Sequence, residues 1–133
     1  MPKPVTPYRI AALGKDNDRS GLTNLLEITY QVNLAMEKRT PHCKLSAVKA
    51  LVEAGKVRAT VTALTGGAAL GLDFEGMVGL VVVLTPQDFH KSMTTHADHR
   101  IWQDVYCPAT KVGEVYLKLT VIDDVLIVSF KEL

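Results

Sequence analysis

The sequence predicts a small α+β domain with a polar sheet face, in which helices come first and an antiparallel sheet follows. Three C-terminal segments, "IWQDVYC", "GEVYLKLTVI" and "DVLIVSFKEL", alternate apolar and polar residues and are rich in aromatic and β-branched side chains, which is typical of strands. Within residues 44–57, apolar side chains recur at helical spacing and predict an amphipathic helix. Its apolar stripe consists of Leu45, Val48, Leu51 and Val52.

Length and composition indicate one folded domain. The 133 residues are 47% hydrophobic and 22% charged, as in ordinary globular proteins. No apolar run reaches the roughly 18 residues of a membrane span, and the N-terminus lacks the pattern of a secretory signal. We therefore expect a cytoplasmic protein without a membrane partner, in which Cys43 and Cys107 are reduced thiols.

The charge distribution excludes a general polyanion binder. The net charge is +1. Residues 1–35 hold four basic and three acidic side chains, and residues 36–133 hold the remaining eleven of each. Any contact with nucleic acid must therefore come from a local patch of basic side chains.

Residues 1–35 differ from the rest of the chain. They include the proline-rich "MPKPVTP", the polar loop "GKDNDRSG" and the start of a helix-like pattern over residues 22–39. Met36 begins "MEKRTPH", which would serve as a start in its own right. We predict an N-terminal extension over residues 1–35, either partly helical or disordered, and a domain over residues 36–133.

The middle of the chain contains helix signals and two ambiguous segments. Ser46 is a candidate cap for the first helix, and Gly55 stands where that helix would end. "RATVTALTGGAALGLDF" predicts a short strand and then a helix broken at Gly66 and Gly67. "FEGMVGLVVVL" fits either a buried helix or a buried strand, and its valines favour the strand.

A helix start is predicted after Leu84. Thr85 is the expected N-cap, Pro86 occupies the first helical position and Asp88 the third. We therefore predict that "LTPQDFHKSMTTH" is a helix that carries Lys91 to the rim of the sheet.

The last two strands predict a specific pairing. A two-residue turn at residues 123–124 places Tyr116 opposite Lys131 and Lys118 opposite Ser129. A phenol and an ammonium would then lie about 5 Å apart at Cβ on a polar sheet face. The opposite face would enter the core and would consist of Val115, Leu117, Leu119, Val121, Leu126, Val128 and Phe130.

The strand in "IWQDVY" allows two registers. In one register Gln103 points the same way as Tyr116. A shift of one residue would bring Trp102 and Asp104 to that face instead. We favour the first because Trp102 is the bulkiest apolar group nearby and belongs in the core, although Asp104 then needs a partner.

A family resemblance adds to these patterns. Residues 36–133 contain, in this order, "MEKRTPH", "GLDFEGM", "KSMTT", "DHRIWQDVY", "VYLKLTVI" and "DVLIVSFKE". Together they resemble the motility quorum-sensing regulator (MqsR) toxin family. The resemblance implies a RelE-like fold, which is a mainly antiparallel twisted sheet with helices packed on one face and a C-terminal β-hairpin.

The resemblance also implies a function. Members of this family are toxins of type II toxin–antitoxin systems and ribosome-independent endoribonucleases that cut mRNA at GC-containing triplets. They need no metal or other cofactor, and the partner is a zinc-containing, DNA-binding antitoxin that represses its own operon. The catalytic set of the family falls here on Lys91, Gln103, Tyr116 and Lys131. Further RNA contacts are expected from His42, His90, Met93 and Arg100, although each also fits an ordinary surface or core position.

Cleavage of RNA without a metal uses the 2′-hydroxyl as nucleophile on the neighbouring phosphate. Lys91 and Lys131 would stabilise charge on the phosphorane. Tyr116 could exchange a proton if a nearby ammonium lowers its pKa from about 10. Gln103 could hold a phosphate or a base edge, and His90 could act as a base near neutral pH.

Three positions depart from the family pattern. His90 replaces the usual tyrosine, Cys107 a basic residue and Asp123 a histidine. Two of these changes remove positive charge, which motivates an alternative: a catalytically degenerate module that binds an antitoxin or RNA without cleavage. The spacing of His96 and His99 fits no standard zinc pattern, so no metal site is expected.

Overall fold

The computed structural model describes residues 36–133. The contacts within the chain divide these residues into a main unit, residues 37–93 and 101–133, and a smaller unit that includes residues 94–100. The predicted extension, residues 1–35, lies outside the described residues.

The described residues form three α-helices and seven strands. The helices are α1 (Leu45–Glu53), α2 (Val61–Ala69) and α3 (Phe74–Val82). The strands are β1 (Glu37–Lys38), β2 (Val57–Ala59), β3 (Phe89–Thr94), β4 (Trp102–Tyr106), β5 (Ala109–Thr110), β6 (Gly113–Ile122) and β7 (Asp124–Glu132). Their order across the sheet is β1-β3-β4-β6-β7-β2, and β5 pairs with β6.

The helices and the sheet share one core, which confirms the predicted α+β fold. Strand pairs β1–β3, β4–β6, β5–β6 and β6–β7 are antiparallel, and β2 pairs with β7 in parallel. Buried side chains of the helices pack against one face of the sheet; the main ones are Val48, Val52, Ala63, Met77 and Val81, packed with Leu117, Leu119, Ile127 and Phe130. The opposite face of the sheet points away from these helices.

Helix α1 largely follows its predicted pattern. Val48 and Val52 are buried, and Leu45 and Leu51 pack at the edge of the core. Gly55 follows the helix with φ +79°, a left-handed conformation that suits glycine. The predicted Ser46 cap is wrong, because α1 begins after Lys44 and has no side-chain cap.

The "FEGMVGLVVVL" segment is helix α3, so the preference for a strand is wrong. The Asp73 carboxylate caps the helix by accepting a hydrogen bond from the Gly76 N–H at 2.8 Å. Met77 and Val81 then fall one turn apart on the buried face. This start signal and the packing outweigh the modest β-propensity of the valines.

The predicted break in α2 is also wrong. The helix runs through Gly66 and Gly67 without interruption. A Cβ at Gly66 would overlap the backbone carbonyl oxygen of Phe130 in β7. The glycine therefore allows α2 to approach the sheet closely, and it does not break the helix.

Replacement of Gly66 with alanine is expected to destabilise the fold by about 1–3 kcal/mol or more, because the new methyl group meets backbone that cannot move freely. Gly79 in α3 is the matched control, since a Cβ there meets nothing within 4 Å. Gly79→Ala should stabilise the fold by up to about 1 kcal/mol through helix propensity. Urea unfolding measures both variants, and equal stability of the two would contradict the close contact.

The predicted helix after Leu84 lasts only one 3-10 turn, at Pro86–Asp88. Thr85 and Asp88 form the predicted capping box. The chain then enters strand β3, so Lys91 is carried by a strand and not by a helix. The strand was hidden in the sequence because its buried positions, Ser92 and Thr94, are polar.

The C-terminal hairpin confirms the two predicted pairs. Tyr116 lies opposite Lys131 and Lys118 lies opposite Ser129. Nearer the turn the register differs by one residue: Ile122 pairs with Asp124, and Asp123 alone takes a positive φ of 67°.

A bulge between Lys118 and Leu119 reconciles the two parts of the hairpin. It changes which residues of β7 enter the core. Val125 and Ile127 are fully buried there, in place of the predicted Leu126 and Val128.

Within residues 36–133, no single helix has the length and apolar character that a membrane span requires; α2 and α3 pass such a test only as a pair, bent by 90°.

Candidate active site on the sheet face opposite the helices

Strands β6 and β7 supply the centre of a polar surface. Leu117 and Leu119 point into the helix-covered core, so Tyr116 and Lys118 point to the other side by strand alternation. Lys131, opposite Tyr116, shares that side. We call this surface the site face.

Strand β4 adds Gln103 to the site face. Val105 is paired with Lys118 across the two strands, and directly paired residues point to the same side. Gln103 lies two residues before Val105 and therefore has the same orientation. The favoured register of this strand is thus confirmed, and Asp104 faces the helices.

Strand β3 adds Lys91 and Met93. Met93 is paired with Glu37 of β1. The Lys91 ammonium lies 2.9 Å from the Glu37 carboxylate, and this hydrogen bond holds the pKa of Glu37 below its usual value. The structure therefore brings all four predicted catalytic residues to one face: Lys91, Gln103, Tyr116 and Lys131.

Tyr116 and Lys131 are in direct contact. The Lys131 ammonium is 5.1 Å from the centre of the Tyr116 ring, a cation–π geometry. Burial raises the pKa of Tyr116 above 10, although the Lys91 ammonium opposes this, and Cys107 and Glu37 raise it further. The sequence-based expectation required an ammonium group that lowers the pKa of Tyr116, but the net shift is upward. The phenol therefore keeps its proton at neutral pH.

Lys118 occupies the middle of the site face and is missing from the set predicted from sequence. It is half-buried. Burial lowers the pKa of Lys118, and the ammonium groups of Lys131 and Lys91 lower it further. The hairpin pattern placed it on this face, but pattern alone does not separate it from ordinary polar residues.

The electrostatics of the site face favour an anion. Three lysines, Lys91, Lys118 and Lys131, lie near one another, and Glu37 pairs with only the first. Within residues 36–133, neither Lys118 nor Lys131 forms an ion pair with a carboxylate. Phosphate is an anion that lysine ammonium groups commonly bind in proteins.

Comparison with known proteins gives a family for this fold and site. Residues 40–132 match the family model described as "Motility quorum-sensing regulator, toxin of MqsA". The mRNA interferase toxin MqsR of Escherichia coli (strain K12) is 63% identical over 97 residues, which cover 73% of this chain and 99% of that protein. The chain belongs to the MqsR toxin family. The resemblance seen in the motifs is thereby confirmed, and the matched region contains all four predicted catalytic positions.

The four further RNA contacts predicted from the sequence lie at different places in this MqsR-family chain. His42 stacks on Trp102 with ring centres 5.5 Å apart, on the helix side of β4. His90 is exposed on β3, beside Lys91 in the sequence, and it contributes to lowering the pKa of Glu37. Met93 does share the site face, and Arg100 lies in the smaller unit, where it pairs with Asp98 at 3.0 Å.

The placement of Trp102 corrects a prediction. Its side chain is half-exposed and does not belong to the buried core. The Lys38 ammonium lies 4.2 Å from the centre of its ring. Asp104 was expected to need a partner. Its carboxylate accepts hydrogen bonds from the backbone N–H groups of His42 and Cys43, at 2.9 and 3.1 Å.

The two departures from the family pattern that remove positive charge differ in how close they lie to Tyr116. Cys107 lies close enough to Tyr116 to raise its pKa. Asp123 lies in the hairpin turn. The cysteine is therefore the departure that bears on the site, and both Cys107 and Cys43 are free thiols. No group of three His, Cys, Asp or Glu side chains within residues 36–133 could hold a metal ion.

Replacement of Cys107 with arginine is expected to lower the KM for RNA severalfold at low salt, because it adds a cation beside the phosphate site. It should also lower the pKa of Tyr116 by favouring the phenolate. Steady-state cleavage at two salt concentrations measures the first effect, with Cys43→Arg on the helix side as control. An unchanged KM would show that RNA does not pass Cys107.

Proposed function

We propose that this chain is the toxin of a type II toxin–antitoxin system and acts as a ribosome-independent mRNA interferase. One observation carries the proposal: Lys91, Gln103, Tyr116 and Lys131 share one sheet face, with the Tyr116 ring 5.1 Å from the Lys131 ammonium. The name of the relative from Escherichia coli, an mRNA interferase toxin, supports the same activity.

The proposed reaction is an attack of a ribose 2′-oxygen on the adjacent phosphorus. The 2′-O–P bond forms and the P–O5′ bond breaks, so the products are a 2′,3′-cyclic phosphate and a 5′-hydroxyl. Lys91 and Lys131 stabilise the charge on the phosphorane. Tyr116 donates its proton to the leaving 5′-oxygen, which agrees with its raised pKa.

Gln103 and Met93 are proposed to position the RNA. The Gln103 amide can hydrogen-bond to a phosphate or a base edge, and Met93 borders the path of the strand beside Lys91. A single strand laid across the site face leaves its bases accessible for recognition. The proposed substrate is mRNA in the cytoplasm, cut at GC-containing triplets without a metal.

The proposed partner is a zinc-containing, DNA-binding antitoxin. The family description, "toxin of MqsA", pairs these toxins with MqsA, which supports an antitoxin partner. In this proposal DNA contacts come from the antitoxin alone, because residues 36–133 carry no excess of positive charge.

Digestion of a GC-containing RNA by the purified full chain, in the presence of EDTA, tests the proposal. Cleavage that survives chelation and leaves a cyclic phosphate is the expected result. Absence of cleavage, with antitoxin binding intact, would instead establish the alternative, a degenerate module. The loss of a basic residue at Cys107, beside Tyr116, is the feature that favours this alternative.

The proposed domain boundary predicts a truncation result. Removal of residues 1–35 should leave the rate of RNA cleavage unchanged within about twofold, because the family match begins at residue 40. Cleavage rate and thermal unfolding of the truncated and full chains check this. A truncated protein that is insoluble or inactive would place residues 1–35 within the functional domain.

A further inference from the structure

We propose that Lys118 is a further catalytic residue, which contacts the reacting phosphate and takes the proton from the attacking 2′-hydroxyl. The inference rests on the proposed nuclease function and assigns the base that this reaction requires. It begins with the position of Lys118 on the site face.

Lys118 is central to the predicted catalytic set. It lies on β6, with Val105 of β4 opposite on one side and Ser129 of β7 on the other. Tyr116 is two residues away on the same strand and the same face. Gln103 and Lys131 each lie one diagonal step from Lys118 on the neighbouring strands, so a phosphate held by the predicted set lies above its side chain.

The surroundings of Lys118 make it the most suitable proton acceptor on this face. It is half-buried, whereas Lys131 is exposed and Lys91 is neutralised by Glu37. Its pKa is lowered by burial and by two neighbouring ammonium groups, so its neutral amine is populated more readily than in an ordinary lysine. The charged groups that act on it are Lys131 of β7 and Lys91 of β3. Tyr116 of β6 shares its face, and Lys91, Cys107 and Glu37 lie near that phenol.

The alternatives on the site face fit the role less well. Tyr116 has a raised pKa and remains protonated. His90 is exposed on β3, whereas Lys118 lies on β6 beside the strands that carry Gln103 and Lys131. A half-buried lysine beside two other lysines, with no carboxylate partner among residues 36–133, has the perturbed electrostatics that are typical of functional sites.

The proton balance of the step closes within the site. The neutral Lys118 amine accepts the proton of the 2′-hydroxyl as the 2′-O–P bond forms. Tyr116 gives its proton to the 5′-oxygen as the P–O5′ bond breaks. The Lys118 ammonium then returns a proton to the Tyr116 oxygen, which restores both groups for the next turnover.

Two substitutions separate a base from a simple electrostatic contact. Lys118→Met keeps the aliphatic stem but has no amine, and Lys118→Arg keeps the charge but cannot lose its proton at working pH. Both are expected to lower kcat/KM by about 100-fold or more, the contribution typical of a general base. The wild type is expected to show a rise of kcat/KM with pH as the Lys118 amine loses its proton, and both variants should abolish that rise. Lys111→Met, at an exposed lysine in the turn before β6, controls for loss of charge.

Measurement of the stability of the Lys118 variants separates loss of catalysis from loss of folding. Lys118→Met removes a half-buried cation and is expected to unfold at the same urea concentration as the wild type or higher. A folded Lys118→Met or Lys118→Arg that cleaves RNA within threefold of the wild type would overturn the assignment.

A modified RNA distinguishes the residue that donates a proton to the leaving group from the residue that accepts the proton of the 2′-hydroxyl. When sulfur replaces the 5′-oxygen at the cut site, the leaving thiolate needs no proton. Tyr116→Phe should then recover most of the wild-type rate, and Lys118→Met should remain slow. Equal recovery of both variants would overturn the role of Lys118 alone, whereas a wild-type chain that cuts neither RNA would overturn the proposed function as well.

Discussion

Replacement of Tyr116 with phenylalanine is expected to slow RNA cleavage by about tenfold or more, because it removes the proton donor for the leaving oxygen. The ring remains, so the contact with the Lys131 ammonium, 5.1 Å from the ring centre, is retained. Single-turnover cleavage of a GC-containing RNA measures the effect on the chemical step. Tyr106→Phe offers a control, since that phenol is buried on the helix side of the sheet.

The affinity for RNA should change little in Tyr116→Phe. A loss of affinity with an unchanged chemical rate would show that the phenol binds RNA and does not donate a proton. Wild-type growth arrest at equal expression would remove Tyr116 from the catalytic set altogether.

Replacement of Lys131 with alanine is also expected to reduce cleavage by about tenfold or more, the usual effect of losing a group that stabilises transition-state charge. Lys131 is exposed on β7 and forms no ion pair with the described carboxylates, so the fold should be unaffected. Lys131→Arg should restore part of the rate, because it returns the positive charge.

Lys111→Ala provides the control for Lys131→Ala, because it removes the same charge from an exposed position in another turn. The number of RNA phosphates contacted, taken from the salt dependence of binding, should fall by about one in Lys131→Ala and stay constant in Lys111→Ala. Equal effects of both variants would reduce the role of Lys131 to general attraction of RNA.

The hairpin shows what sequence patterns can predict about this site. Alternation and one turn sufficed to place Tyr116 opposite Lys131, because both depend only on local backbone geometry. The bulge after Lys118 was not predictable, since it depends on how Val125 and Ile127 fit under the helices. The pairing of Tyr116 with Lys131 was therefore predicted correctly, whereas the residues that β7 contributes to the core were not.

Strand β3 and helix α3 were both predicted wrongly from local patterns. Ser92 and Thr94 are buried polar residues, so the alternation of β3 leaves no hydrophobic signal. In α3 the valines favoured a strand, while the cap formed by Asp73 and the packing of Met77 decided for a helix. Tertiary contacts overrode local preference in both elements.

The environments of Trp102 and Lys118 could not be predicted from residue type alone. The only tryptophan was expected in the core, yet it lies half-exposed under Lys38 and against His42. Lys118 was expected to be an ordinary polar residue of the sheet. Its half-burial and its two lysine neighbours became visible only when β3, β4 and β7 were assembled around it.

The position of a bound RNA would test the site face most directly. A crystal structure of the full chain with a GC-containing RNA, methylated at the 2′-oxygen of the cut site to prevent cleavage, is the suitable measurement. We expect the phosphate at the cut site within hydrogen-bond distance of the side chains of Tyr116, Lys118 and Lys131. RNA bound instead on the helix side, against Trp102 and His42, would contradict the assignment of this sheet face as the nuclease site.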